Sequence, residues 1–429
     1  MLDKQSHVLI VGGGTFGLST AYHLARSGYT NVTVVEKASA VPSPFSAGND
    51  LNKIVRAEYV DPFYSDLALE AIAEWANNPV FAPFYHETGY LLGVSGAAGP
   101  VSRATLARQL ASLQKHPAWA GKITPMETRA DLHRVAPALD GPMPGWTGYF
   151  NTFAGYAHAA NAMRSVYGAC AALGVHFELG QAVTALVYDD KAAGRGAAAR
   201  RCVGVTTATG RQYTADVVLL TLGGSIGRVL PSVGRQIVAK AWALAHVQLT
   251  PDEARRLAGI PVTFMRDLGF FFEPEPGTGL FKVCAEGAGY SNFESSPDLS
   301  VAPADEATSD FLPARGEQRI RKLLSEALPA LADRPLLHGH VCWCADTEDM
   351  NYVIDRVPDT EGLFVATGDA GHGFKMLPVV GKWIQATLEK GQQPRARWQW
   401  KTGTDGTRTK WRSGTIQDLK DARPAQARL

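Results

Sequence analysis

Residues 7–11, HVLIV, are a short apolar run of β-branched character, which predicts a buried strand. GGGTFG follows, then LSTAYHLARSG, in which Leu18, Ala21, Tyr22, Leu24 and Ala25 recur at helical spacing and Gly28 sits where a C-terminal cap belongs. NVTVVEK is a second strand ending at Glu36, so the pattern predicts a βαβ unit. A Pro/Ser/Gly-rich stretch, ASAVPSPFSAGND, leads into LNKIVRAEYVDPFY and a helix over SDLALEAIAEWAN, and a variable section runs on to about residue 145. AANAMRSVYGACAALGVHFEL predicts helix then strand, DDKAAGRGAAARR a solvated loop, and YTADVVLLTLGG a buried strand ending in glycines. Residues 235–290 are β-rich: HVQLT is a strand, and GFFFEPEPGTGLFKVCAE a hairpin with its turn near PEPGTG. SPDLSVAPADEATSDFLPARGE reads as loop and EQRIRKLLSEALPAL as an amphipathic helix. GLFVATGDAGHGFKMLPVVGKWIQATLEKG reads as strand, Gly-rich turn and helix, and a polar tail with interspersed tryptophans begins near residue 396.

The length, 429 residues, exceeds what one core usually serves, so two domains are expected. Hydrophobic residues at 45% and charged residues at 19% place the chain among globular proteins. A formal net charge of +1 gives no support for nucleic acid or an anionic membrane surface as partner. The cysteines Cys170, Cys202, Cys284, Cys342 and Cys344 are few, scattered and odd in number, which points to a reducing compartment rather than a disulfide framework. A strand begins almost at once, so no cleavable signal is expected before it, and no apolar run approaches the length of a membrane span. Ala427, Arg428 and Leu429 fit the small–basic–leucine pattern of peroxisomal import, with a frayed tail and a cytoplasmic protein as the plainer reading.

Gly12, Gly14 and Gly17 form G-x-G-x-x-G directly after a strand and at a helix start. The first permits the tight turn, the second lets a pyrophosphate approach the backbone, and the third lets helix pack on strand. Glu36 closes the second strand about twenty residues on, where a carboxylate binds ribose hydroxyls and disfavours a 2′-phosphate. Strand, turn, helix, strand and acid agree on dinucleotide binding, with Lys37 adjoining the acid. VVLLTLGG, containing Gly223, and GLFVATGDAGHGFK, containing Gly371, His372 and Gly373, are further strands ending in Gly-rich turns. A second such turn near the C-terminus suits FAD, whose ring system reaches far from the first turn.

HVCWCADTEDMNYVID holds two cysteines around one tryptophan. A redox dithiol, half of a metal site, a reactive thiol and buried packing all remain open on spacing alone; no companion His or Cys cluster supports a metal, and none is expected. On a strand, residues two apart share a face, so spacing does not say which sulfur is functional.

Together with these features, SAGNDLNKI (46–54), KAWALAHVQLTPDEA (240–254), GFFFEPEPGTGLFKVCAE (269–286), CWCADTED (342–349) and ATGDAGHGFKMLPVVGK (366–382) resemble the FAD-dependent amine oxidases that include monomeric sarcosine oxidase, pipecolate oxidase and the fungal amadoriases, or fructosyl amino acid oxidases. The resemblance implies an α/β plus β fold: a Rossmann-type, D-amino-acid-oxidase-like FAD domain of residues 1–83, 146–224 and 342–398, a mainly antiparallel-sheet catalytic domain of residues 84–145 and 225–341, and a tail of residues 399–429. It implies oxidation of a secondary amine to an imine, with O₂ reduced to hydrogen peroxide, by a monomer whose partners are a small-molecule amine and O₂. Within it, Cys342 matches the thioether anchor of a covalent FAD. Arg56 and Lys375 match a substrate-carboxylate clamp, and Lys375 also adjoins the cofactor. Lys282 matches the lysine that promotes reaction with O₂, Lys53 an amadoriase lysine near the flavin, and Glu286 a contact to the substrate's amine or sugar side. His372 is expected to be positional, and Tyr59 and Phe272 to wall the pocket.

Where amadoriases carry an arginine in a C-terminal W-R-W-R-P-G segment, this chain has WQWKTG with Lys401. It has Arg56, at the sarcosine-oxidase position, in place of the amadoriase sugar-contacting arginine. The expected substrate is therefore an N-substituted or cyclic amino acid such as saccharopine, pipecolate, an N-methyl amino acid or a secondary-metabolite intermediate. The alternatives are a fructosyl amino acid oxidase and a flavin dehydrogenase with an acceptor other than O₂.

Overall fold

The computed structural model describes residues 2–44, 46–189, 200–293, 299–401 and 415–423. The expected solvated loop falls largely within residues 190–199 and the tripeptide Ala427–Leu429 within the last residues, so both lie outside the described residues.

Six strands build the first sheet, in the order Val353–Arg356, Leu363–Thr367, Val217–Leu220, Val8–Val11, Val32–Glu36, His176–Leu179. All neighbours run parallel except the edge pair Val353–Arg356 and Leu363–Thr367. Both faces are covered, which is why its central strands read as unbroken apolar runs rather than alternating ones. Val8, Ile10, Val34 and Leu219 face the helices Thr15–Arg26, Ala159–Ala172 and Val380–Lys390. Leu9, Val11, Val35, Val218 and Leu220 face a layer that includes Cys202 and Val205 of the Arg200–Thr207 strand.

A second, ten-stranded sheet is centred on the long strand Ile237–Gln248. That strand pairs antiparallel with Leu280–Ala285 on one side and with Leu337–Thr347 along nearly its whole length. The sheet continues through Gly269–Phe271, Val262–Met265, Tyr90–Val94, Thr147–Asn151 and Ile123–Met126. Residues 147–151 and 342–347, assigned to the FAD segments by the sequence reading, hydrogen-bond within this larger sheet. The variable section before residue 145 also holds the helices Pro100–Lys115 and Arg129–Val135.

The register sorts the residues of this sheet onto two faces. Trp242 opposes Cys342, Leu244 opposes Cys284, His246 opposes Lys282, and Cys284 opposes Phe270. Phe270 opposes Phe264, Phe264 opposes Leu92, and Leu92 opposes Tyr149. Cross-strand partners share a face, so all of these side chains lie on one side. That side meets the core shared with the glycine-bearing sheet. The other side, with Ala241, Ala243, Phe271, Phe281 and Val283, packs under Ile320, Leu323 and Leu324 of the amphipathic helix Ala314–Ala327. A small sheet of Lys53–Val55, Gly155–Ala157 and Tyr85–His86 holds the segment that runs into Arg56 against the inner side.

Candidate active site

The glycine turn has the shape a diphosphate needs. Gly12 adopts φ +107°, and a Cβ there would stand 2.8 Å from Thr221 O. A Cβ on Gly17 would fall 2.0 Å from Gly12 O, so only glycine lets the helix lie this close. Gly14 is the N-cap of the Thr15–Arg26 helix and supplies no side-chain cap, which leaves the first-turn N–H groups free for an anion. Glu36 is buried and accepts from Gly13 N at 2.8 Å and Ala38 N at 3.0 Å, which fixes its carboxylate beside the turn. Lys37 is exposed. Gly223, at φ +51°, begins the neighbouring turn. Asn52 is wholly buried between the two sheets, and both of its amide atoms lack a protein partner. An amide buried in this way is costly unless a ligand satisfies it, so the cradle and the orphaned amide together fit a bound dinucleotide with a polar ring.

A charge cluster sits on the inner side of the large sheet. Lys282 Nζ donates to Asp50 Oδ2 at 2.5 Å and to Asn52 O at 2.8 Å, with the Lys282 and Asp50 side chains almost fully buried. Lys53 Nζ lies 2.9 Å from the same Asp50 oxygen and donates to Cys342 Sγ at 3.4 Å. Burial alone would raise the Asp50 carboxyl, but Lys282 and then Lys53 outweigh it and hold it well below the usual carboxylate range. Burial likewise opposes the charge on Lys53, and Asp50 overcomes it, keeping that lysine well above its ordinary value. Asp50, absent from the sequence expectations, is thus the group that joins the two lysines.

Cys342 and Cys344 stand on the same face, opposite Trp242 and Lys240, and both are free thiols. They differ in surroundings: Lys53 meets the Cys342 sulfur, whereas burial and then Asp369 push the Cys344 thiol well above its ordinary range. Asp369 Oδ1 accepts from Ala345 N at 2.7 Å and Oδ2 from Gly371 N at 3.1 Å, so it straps the C-terminal glycine turn to the cysteine strand. In that turn Gly371 is left-handed at φ +71°, and a Cβ on Gly373 would press within 3.0 Å of the Phe16 ring. The His372 ring stacks on Tyr352; Nε2 lies 2.9 Å from Met350 O and Nδ1 3.1 Å from the Tyr352 hydroxyl. A carbonyl can only accept, so Nε2 carries the proton and the ring is fixed at both nitrogens, a positional arrangement.

Beyond this lies a polar pocket. Lys375 is buried and its Nζ donates to the Tyr59 hydroxyl at 3.1 Å. The Arg56 guanidinium lies 5.2 Å from the centre of the same Tyr59 ring and donates to Glu58 O. Burial, then the charge of Arg56, pushes Lys375 well below the ordinary lysine range. Burial raises the Glu58 carboxyl; its Oε1 accepts from Asn151 Nδ2 at 2.7 Å while Oε2 has no protein partner. Phe272 is fully buried with its ring 5.2 Å from Lys282 Nζ. Glu286 is partly buried, and its charge reaches Arg266 and Tyr90. Lys401 is ion-paired with Asp349, so its charge is already met by the protein. The structure therefore brings Lys53, Lys282 and Cys342 into one group and Arg56, Lys375 and Tyr59 into another, and adds Asp50, Asn52, Glu58, Tyr90 and Arg266. The carboxylates could have been suspected from Asp50 in SAGND and Glu58 in RAEY, since charges in apolar surroundings need partners.

Among the described residues, no cluster of His, Cys, Asp or Glu has the geometry to hold a metal, and no helix is long and apolar enough to cross a membrane. A dinucleotide cradle closed by a sheet whose inner side presents buried lysines, aromatics and a thiol defines a flavin-dependent oxidoreductase. The chain belongs to the FAD dependent oxidoreductase family, whose model matches residues 7–387. It is 32% identical over 443 residues to L-saccharopine oxidase of Schizosaccharomyces pombe, covering 97% of this chain and 98% of that protein. The crystal structure of fructosamine oxidase (Amadoriase II) from Aspergillus fumigatus superposes with a TM-score of 0.89 at 34% identity, covering 99% of this chain and 98% of that one. Peroxisomal sarcosine oxidase of Mus musculus is 23% identical over 388 residues, 87% of this chain and 90% of that protein. The chain is an FAD-dependent amine oxidase.

Proposed function

We propose that the substrate is a secondary amino acid, N-substituted or cyclic, whose C–N bond is oxidised to an imine while O₂ is reduced to hydrogen peroxide. The observation that carries this reading is the pairing of Arg56 and Lys375 around Tyr59, with no carboxylate at ion-pair distance from either among the described residues. Burial and the Arg56 charge oppose a proton on Lys375 until an anion enters, and a substrate carboxylate supplies it. Arginine offers two parallel donors and lysine a point charge, so the pair fixes both the position and the orientation of the α-carbon. The same positive field disfavours an ammonium and delivers the amine with its nitrogen lone pair free, so no dedicated general base is required.

FAD, when bound, supplies the two-electron acceptor. Gly12, Gly14, Gly17, Glu36 and Gly223 would hold its nucleotide half, the Gly371–Gly373 turn its far end, and Cys342 would anchor it through a thioether. Lys53 Nζ, 3.4 Å from the Cys342 sulfur, holds that sulfur in place for such a bond. Lys282, pinned by Asp50 and Asn52 O, presents a fixed positive charge that stabilises the negative charge developing on O₂. Glu286 faces the amine side, and Phe272 and Tyr59 wall the site. The discontinuous segments 1–83, 146–224 and 342–398 make up the FAD side of the molecule, less the strand residues that pair in the large sheet. The protein acts as a monomer, and Ala427-Arg428-Leu429 direct it to peroxisomes, where peroxide is tolerated; fusing the tripeptide to a fluorescent reporter, with and without Leu429, tests the address.

The relative that oxidises saccharopine supports the substrate class. The structural likeness to a fructosamine oxidase keeps fructosyl amino acids as the competing reading. An anaerobic screen of the yellow protein separates them: saccharopine, pipecolate and N-methyl amino acids are expected to bleach it. Bleaching by fructosyl-lysine or fructosyl-valine alone would replace this reading with the competing one.

A further inference from the structure

The inner side of the large sheet carries a further cation, Arg266, that the proposed reaction leaves without a task. Arg266 continues the alternation of Val262 and Phe264 just past the strand end, and its N–H extends the ladder to Gly93 O at 2.9 Å. Its guanidinium is partly buried, and Nη1 reaches Gln109 Oε1 at 3.4 Å. Gln109 is buried and donates through Nε2 to Glu58 O at 3.0 Å, which ties Arg266 to the segment bearing Arg56.

Tyr90 and Tyr149 share this face. The Arg56 guanidinium lies 5.7 Å from the Tyr90 ring centre, and both phenol oxygens are buried without a protein partner. Among the described residues no carboxylate stands at ion-pair distance from Arg266. Glu286 and Arg56 both reach it electrostatically. Two guanidiniums, Arg56 and Arg266, face Glu58 and Glu286, and burial drives Glu58 toward its neutral form. Arginine stays charged when buried, so Arg266 presents a guanidinium with no carboxylate paired to it among the described residues.

We propose that the amine substrate carries a second carboxylate, on the nitrogen substituent rather than on the carbon held by Arg56 and Lys375, and that Arg266 binds it. The substrate class is then a secondary amine joining two carboxylate-bearing halves. The guanidinium fork takes the distant carboxylate bidentately, and the Tyr90 and Tyr149 hydroxyls, each in need of a partner, are donors on the same face. This assignment rests on the reading of Arg56 and Lys375 as the clamp for the first carboxylate.

The test uses the flavin-loaded protein, Arg266→Gln and Arg266→Lys. Saccharopine serves as the two-ended amine, and pipecolate and N-methyl-leucine as amines with one carboxylate. Anaerobic bleaching at varied concentration gives an apparent Kd and a limiting rate for each. Wild type is expected to favour the two-ended amine. Arg266→Gln should weaken its binding about tenfold or more, with the limiting rate and the one-carboxylate Kd changed less than about twofold. Arg266→Lys should recover part of the loss, because it keeps the charge without the fork. Equal loss for both kinds of amine, or no loss for either, overturns the assignment. If wild type bleaches with pipecolate and N-methyl-leucine but not with the two-ended amine, the assignment falls and the proposed function stands. If no secondary amino acid bleaches it, the proposed function itself fails and takes this assignment with it.

Discussion

Replacing Asp50 with asparagine keeps the shape of the side chain and removes the charge that joins Lys53 to Lys282. The expected cost follows from what each lysine has left. Lys282 is 1% exposed at its side chain and retains only neutral acceptors, the Asn52 carbonyl at 2.8 Å and the amide oxygen of the new side chain, so its ammonium is left in the core without a counter-charge. Lys53 is less buried, at 22% exposed, and keeps its contact with the Cys342 sulfur, so its share is smaller. Removing one partner of a buried pair typically costs about 3–5 kcal/mol, and that is the range expected here, most of it from Lys282. If the stranded cation is the cause, deleting it as well must relieve the damage. The double variant Asp50→Asn/Lys282→Met should therefore recover at least about 2 kcal/mol relative to Asp50→Asn alone. The assay is the urea midpoint of the flavin-loaded protein, followed by flavin and tryptophan fluorescence and converted through the shared slope. The pH dependence has a definite sign. A carboxyl held below its ordinary value stabilises the fold above about pH 4, and that contribution is lost as the pH falls below this toward the folded value. The acid limb should thus be shallower in Asp50→Asn. A single-variant cost below about 1 kcal/mol, or a double variant no more stable than the single, would refute the cluster as described.

Two further outcomes follow from the same site. Burial, then the charge of Lys282, lowers the His246 imidazole to about 4, so the folded protein resists a proton that the unfolded chain accepts below its ordinary value near 6.5. Stability should fall by about 2 kcal/mol between pH 7 and pH 5 on this account, and His246→Gln should remove that part of the slope; an unchanged slope in the variant would exclude His246 as its source. Acid-precipitated protein should stay yellow, Cys342→Ala should give a white pellet, and Cys344→Ala a yellow one. A white wild-type pellet would leave the thioether without support while the rest of the site stands.

The first sheet was legible because its chemistry is local: the strand at 8–11, the glycine turn and Glu36 lie within one unit of chain. The hairpin at 269–286 was legible for the same reason, while its placing of Phe270, Lys282 and Cys284 on one side comes from the register of the folded sheet. The Ile237–Gln248 strand was seen only at its end, HVQLT, because a strand covered on both faces does not alternate. Asp50 and Glu58 escaped notice because their partners, Lys282 and Asn151, stand 232 and 93 residues away. Arg266 is a lone arginine at a strand end, with nothing in its neighbours to mark it until the register turns it inward. Lys401 stands in the sequence where amadoriases carry an arginine, and its pairing with Asp349 depends on how the chain returns past the edge of the first sheet.

The central claim is that the site divides its work: Arg56 and Lys375 position the amine, and Lys282 serves O₂. Stopped-flow measurement of the two half-reactions in Lys282→Met tests that division directly. Anaerobic bleaching by a secondary amino acid should proceed within a few-fold of wild type, while the return of the yellow colour in air-saturated buffer should slow about a hundredfold or more. Slow bleaching with unimpaired return of colour would contradict the account.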